Sequence, residues 1–205
     1  MRLLAVLLLA PRVVLLGGWV PRVSPLSFYP ETAATRFVHQ RGGPAGFRVA
    51  GMDQSLFPDV GSFYGLEDVR ANDPMTFGDY ERFLGHAGEV EPGGRLRLLD
   101  SDSPILDFLG VAYVFDHPSM GRRPDVRPVY LGPDALVHEN PRALPRLYLP
   151  REVVVAPPPE ALSAVAGIDD FARRVVASTT ELAGLPPPGA LFVISSPDSW
   201  PTENE

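Results

Sequence analysis

The sequence has no cysteine and no lysine in its 205 residues. Without cysteine it carries no disulfide framework and no zinc-thiolate scaffold, although this leaves the compartment open. Without lysine, all 18 basic residues are arginine, which reads as a bias towards GC-rich codons before any physical role. Gly42-Gly43 and Gly93-Gly94 lack the lysine and the spacing of a phosphate loop. There is no G-x-S-x-G nucleophile elbow and no internal repeat. The four histidines (His39, His86, His117 and His138) are far apart and none has a partner four residues on. A metal site needs three or four converging ligands. No nucleophile, metal or cofactor constellation is visible, so no cofactor is expected and an independent enzyme is disfavoured. Long uninterrupted helices are excluded by 24 Pro and 19 Gly, since both break regular structure.

What is present is a globular composition, 45% apolar, in a chain long enough to bury a core unaided. Its net charge of −7 is unevenly spread. Residues 1–48 hold six arginines against one acid, Glu31, and residues 49–205 hold 12 arginines against 24 acids. A basic, apolar head on an acidic body points to a segment that meets membrane lipid and a domain that does not bind nucleic acid. The head, residues 1–20, allows two readings. As a signal peptide it has Arg2 as its charged start and Leu3–Ala10 as its apolar stretch, but Pro11 spoils the cleavage site. As a membrane helix it runs from Leu3 to Val20, near the minimum spanning length. Arg12 then costs about 2.5–3.5 kcal/mol on insertion scales. We favour the membrane-associated segment on hydropathy.

Pro21–Pro30 reads as a linker, and Glu31–Gln40 as a short helix. Phe47–Gly51 alternates as a strand; Met52–Pro74 is loop-like, with aromatic anchors. A helix is expected over Thr76–Gly85, capped by Thr76 or Asp79, and a strand over Arg95–Leu99. Asp102 or Ser103 caps a short helix with Pro104 at its first position, ended by Gly110. Val111–Phe115 reads as a buried strand. Val129–Leu131 and Leu136–His138 form a hairpin around Gly132-Pro133-Asp134. Leu147–Ala156 is a strand stopped by Pro157-Pro158-Pro159. Helices follow over Glu160–Ala166 and Asp169–Arg174, then strands over Val175–Ala177 and Leu191–Ser195. The expected fold is α/β, with α+β as the alternative: a mixed β-sheet with short packed helices, preceded by one apolar N-terminal helix. The domain plan is 1–23 membrane or signal-like segment, 24–46 linker and short helix, 47–195 mixed α/β domain, and 196–205 polar tail.

Several residues carry candidate chemistry. Asp100-Ser101-Asp102 has the form of a nucleotide-sugar metal motif, but it sits at a helix start, where capping accounts for it better. Glu67, Asp68 and Asp73 share one loop and allow a paired-carboxylate site, against the commoner solvated turn. Arg122, Arg123 and Arg127 allow contact with an anionic lipid or phosphate, again against a solvated turn. Phe57, Phe63, Tyr64, Phe77 and Tyr80 can stack on a sugar ring, or else tie a long loop to the core, which is the more ordinary role.

An ordered series of stretches resembles one family. It starts with Phe28-Tyr29-Pro30-Glu31-Thr32 and Gly46–Gly51. Tyr64–Arg70, Asp73–Thr76, Tyr80 and Phe83-Leu84 follow, then Leu106–Val114 and His138–Arg146. In order and spacing over residues 28–150 they resemble the YfhO-type bacterial membrane proteins, which are related to GT-C glycosyltransferases. The resemblance implies many membrane helices followed by an extracytoplasmic domain, and transfer of sugars from polyprenyl-phosphate carriers to cell-envelope polymers. This chain would then be the last helix and the soluble domain after it, a fragment or a separately encoded piece. It would lie at the bacterial cell membrane, with the soluble part on the extracytoplasmic side. The multi-helix part, with its acidic catalytic residue, and the family's β-rich end have no counterpart here, so no catalytic residue is assigned. Expected partners are membrane lipid through residues 1–20, the remainder of a multi-helix glycosyltransferase, and envelope glycan. Candidate acceptor contacts are Glu67, Asp68, Arg70, Asp73, Asn140, Arg142 and Arg146. The alternative is a stand-alone secreted or membrane-tethered glycan-binding module.

Overall fold

The computed structural model describes residues 24–42, 46–70, 77–91, 95–120, 128–178 and 193–195. The apolar head, Asp73, Arg122, Arg123, Arg127, the Gly93-Gly94 turn and the tail therefore lie outside the described residues. Among the described residues no helix is long and apolar enough to cross a membrane. The chain divides into two compact units, Met1–Glu31 and Thr32–Glu205. In the first, Pro25–Phe28 forms a single helical turn, α1, and the Phe28 ring meets Tyr29 edge-on.

The second unit is α/β. It begins with helix α2 (Ala33–Arg41), whose start is written in its sequence. Thr32 and Thr35 cap each other reciprocally: Thr35 N–H donates to Thr32 Oγ1 at 3.2 Å and Thr32 N–H to Thr35 Oγ1 at 3.0 Å. Strand β1 (Arg48–Gly51) then enters the main sheet. A 3₁₀ turn (Val60–Tyr64) interrupts the long loop after it. Helix α3 spans Gly78–Leu84, shorter than the expected Thr76–Gly85. Phe77, with no capping side chain, stands at its N-cap. Asp79, expected as a cap, lies inside the first turn and pairs with Arg82. Strands β2 (Gly88–Val90) and β3 (Leu96–Leu98) form an antiparallel hairpin; only β3 is legible in the sequence.

Helix α4 (Pro104–Phe108) has Pro104 in its first turn and Ser103 at its N-cap, without a side-chain cap bond. It is closed by Gly110 at φ +69°, a conformation that glycine adopts without strain. Strand β4 is Val111–Asp116, and β5 (Tyr130–Leu131) and β6 (Leu136–Glu139) make the expected hairpin. The main sheet runs β1-β4-β6-β5, with β1 and β4 parallel and the other pairs antiparallel.

Both faces of this sheet are covered, which explains why β4 reads as a nearly continuous apolar run. On one face, Ala34 and Val38 of α2 pack with Val49, Tyr113, Phe115 and Val137. Helix α2, placed with the linker in the sequence reading, is thus part of this core. The other face buries Ala50, Met52 and Val114 against α3, α4, the β2–β3 hairpin and the pair Ile168 and Phe171.

A second, all-parallel sheet has the order β8-β7-β9, from β7 (Glu152–Ala156), β8 (Arg174–Ser178) and β9 (Val193–Ser195). Helix α5 (Pro158–Val165) links β7 to β8. Two expectations change here. The strand expected from Leu147 starts only at Glu152, and Leu147 and Leu149 are 92% and 75% exposed. The helix expected over Asp169–Arg174 is a turn. Asp170 accepts the N–H groups of Ala172 (2.9 Å) and Arg173 (3.2 Å) on its own carboxylate, so the backbone has an alternative to helical bonding.

Candidate functional site

The loop after β1 returns to the sheet edge at Glu67–Val69, where Val49 N–H donates to Glu67 C=O at 2.8 Å and Val69 N–H to Val49 C=O at 3.1 Å. This pairing carries Asp68 and Arg70 inward. Arg70 is 1% exposed, the largest fully buried side chain among the described residues. Its Nε donates to Asp68 Oδ1 at 3.1 Å and one terminal amino group to Asp68 Oδ2 at 2.8 Å. The same amino group donates to the carbonyls of Ser55 (3.4 Å) and Leu56. Burial pushes the Asp68 carboxyl above its usual range, against the downward pull of Arg70. A Cβ at Gly51 would overlap the Ser55 carbonyl oxygen and crowd the guanidinium, so only glycine leaves room for this arrangement. Two members of the expected contact loop therefore form an internal clamp.

What the clamp holds is the segment Met52–Asp59. Three of its residues, Asp53, Leu56 and Asp59, have positive φ (51°, 47° and 67°). Such conformations cost on the order of 1–3 kcal/mol each unless the surroundings impose them. Arg70 fixes the middle of the segment. Its start is fixed by Met52 N–H on Phe115 C=O (2.7 Å) and Asp53 N–H on Leu98 C=O (2.8 Å).

The held segment forms one wall of a cleft of about 160 Å³, contributing Asp53, Gln54 and Phe57. The β2–β3 hairpin forms the other, with Glu91, Arg95 and Arg97. The period-two alternation of β3 turns Leu96 and Leu98 into the core and leaves both arginines on the opposite face. Arg95 pairs with Glu91, its Nε at 2.7 Å, and Arg97 pairs with Asp53 through its Nε. Two carboxylates and two guanidinium groups balance. Phe57 is 43% exposed beside them. Of these residues only Phe57 was singled out in the sequence. The signal for the rest is the pairing of Glu89-x-Glu91 with Arg95-x-Arg97 across the turn, seen once β2 is recognised as a strand.

The other expected contacts are engaged within the molecule. Glu67 is shared by Arg146 and by Arg48, whose Nε lies 3.8 Å away. Asn140 Nδ2 donates to Asp107 Oδ1 (2.7 Å) and Val111 C=O (3.0 Å). Arg142 Nε is 3.0 Å from Asp107 Oδ2, and its terminal amino group donates to Asp102 C=O at 2.9 Å. Burial raises the Asp107 carboxyl, while Asn140 and Arg142 pull it down. Leu144 N–H on Asp107 C=O (2.8 Å) completes the seam between α4 and the loop after β6. In the Asp100-Ser101-Asp102 motif, Asp100 Oδ1 accepts Asp102 N–H at 2.9 Å, an ordinary turn. Of the aromatic anchors, Tyr80 packs on the core and donates to Val69 C=O at 2.7 Å. Phe63 and Phe77 stay 53% and 84% exposed.

His138, buried on β6, has Nε2 3.3 Å from Asp116 Oδ2 on β4. Neither ring nitrogen has a hydrogen-bond partner among the described residues. Among the described residues no three His, Asp or Glu side chains group to hold a metal ion. Comparison with protein-family models, curated proteins and solved structures finds no match for this chain.

Proposed function

We propose that this chain is a non-catalytic extracytoplasmic domain of a YfhO-like membrane protein. Its parent would act in polyprenyl-phosphate-sugar-dependent glycosylation of cell-envelope polymers at the bacterial membrane. Residues 1–20 would meet the lipid, and the chemistry would reside in the multi-helix part of the parent. The supporting observation is that stretches carrying the resemblance, far apart in sequence, touch in space. Leu106–Val114 is sewn to His138–Arg146 through Asp107, Asn140 and Arg142. Gly46–Gly51 is paired with Tyr64–Arg70 through Val49. A set of motifs that builds one scaffold is what a shared domain requires, and its internal pairing makes these residues positioning groups rather than reactive ones.

The cleft between the Met52–Asp59 segment and the β2–β3 hairpin favours a second reading, a stand-alone secreted or membrane-tethered glycan-binding module. The coding DNA upstream of Met1 separates the two. A reading frame that stays open into repeated apolar segments is expected. A stop codon followed by a ribosome-binding site would overturn the parent-protein reading and leave the binding module.

A further inference from the structure

We infer that the cleft between the Met52–Asp59 segment and the β2–β3 hairpin binds one ring of a neutral saccharide. Such a site gives chemical content to the glycan-facing role proposed above and rests on that reading, although binding can be measured without it.

Three features of the cleft point to this ligand class. Its polar groups are planar and paired: Asp53 with Arg97 and Glu91 with Arg95. Carboxylates accept and guanidinium groups donate in forked geometry, which matches two neighbouring hydroxyls that each donate and accept. The four charges that line the cleft cancel, with Glu89 outside the lining across from Arg97, so an anion would meet carboxylates and a cation two guanidinium groups; a neutral polyhydroxylated ligand meets neither penalty. Phe57, part-exposed at the rim, offers the apolar face on which the C–H side of a sugar ring rests. Gln54, exposed and without a hydrogen bond among the described residues, adds an amide at the opening. The volume, about 160 Å³, lies below the roughly 300–1,000 Å³ of pockets for drug-sized molecules and suits a single ring. The backbone bearing Phe57 is held in strained conformations by the buried Arg70, so the wall is fixed before any ligand arrives.

The test is saturation-transfer NMR on the full chain in a detergent without a sugar headgroup. The probes are methyl glucoside, methyl galactoside and N-acetylglucosamine at millimolar concentration, with inorganic phosphate and adenosine as competitors. The wild-type chain should saturate the ring C–H protons of at least one sugar. Phe57→Ala should weaken that binding about tenfold, and Gln54→Ala about threefold. If Phe57→Ala fails to fold by circular dichroism, Gln54→Ala, on an exposed side chain, decides. No saturation from any of the three sugars would overturn the assignment. So would full binding by folded variants, or phosphate or adenosine displacing the sugar at lower concentration than the sugar itself needs. None of these outcomes touches the upstream reading frame, so the cleft can fail while the parent-protein reading stands.

Discussion

Arg70 is the residue on which the site depends, and its environment sets what its loss should do. Its guanidinium is out of water, pairs with a buried carboxylate and donates to the carbonyls of two neighbouring loop residues. Arg70→Met leaves Asp68 buried without its cation and the Ser55 and Leu56 carbonyls without this donor. Breaking a buried pair from one side costs about 3–5 kcal/mol, and urea denaturation at pH 7 should show a loss of that order. The loss should shrink with acid. Burial already raises the Asp68 carboxyl, and Arg70 restrains it; without the arginine the carboxyl rises further. A folded-state value above the unfolded one means that the folded protein binds the proton more tightly. That stabilisation is fully present below the unfolded carboxylate range and is lost as pH rises through the folded value. The variant should therefore lie closer to wild type at pH 4 than at pH 7, and an equal deficit at both would contradict the clamp. None of this was legible in Glu67-Asp68-Val69-Arg70. Charged residues are exposed by default, and a linear sequence does not show that Arg70 turns in towards carbonyls 14 and 15 residues earlier.

Elements were legible where local chemistry fixes them. The Pro104 start and Gly110 stop of α4, the apolar run of β4 and the Gly132-Pro133-Asp134 hairpin carry their own signals, and each is found. The misses have physical causes. Strand β2 has three residues and no buried apolar side chain, so its pairing with β3, not its own pattern, makes it a strand. In the turn at Asp169–Arg173 the Asp170 carboxylate accepts the Ala172 and Arg173 N–H groups while its carbonyl accepts those of Arg173 and Arg174, so side-chain bonding competes with a continued helix. The seam between α4 and the loop after β6 has no local signal, since Asp107 and Asn140 meet only once β4 and β6 pair. Asn140→Ala should leave the Val111 carbonyl and Asp107 short of a donor and cost about 1–3 kcal/mol in urea denaturation. Arg142→Ala, on a mostly exposed side chain, should cost less than about 1 kcal/mol. A larger loss from Arg142→Ala than from Asn140→Ala would mean that the arginine, not the amide, closes the seam.

The described part of the Thr32–Glu205 unit holds a main sheet covered on both faces and a second, parallel sheet, with a cleft of balanced lining charges at the side of the β2–β3 hairpin. The fold class was legible because hydrophobic periodicity and turn residues set it. The cleft was not, because its two walls lie some 40 residues apart and are joined by contacts that no local pattern announces, the Asp53–Arg97 pair and the bond from Asp53 N–H to Leu98 C=O. The placement of this unit outside the membrane is the claim on which the glycan-facing role depends, and the absence of cysteine makes it directly measurable. Gln54→Cys places a single thiol on an exposed residue of the cleft in a chain with no other. Spheroplasts of cells carrying this codon change are treated with a membrane-impermeant maleimide, and the peptide bearing residue 54 is read by mass spectrometry. Intact spheroplasts should be labelled at residue 54; labelling only after the membrane is opened would place the unit on the cytoplasmic side and overturn the glycan-facing role.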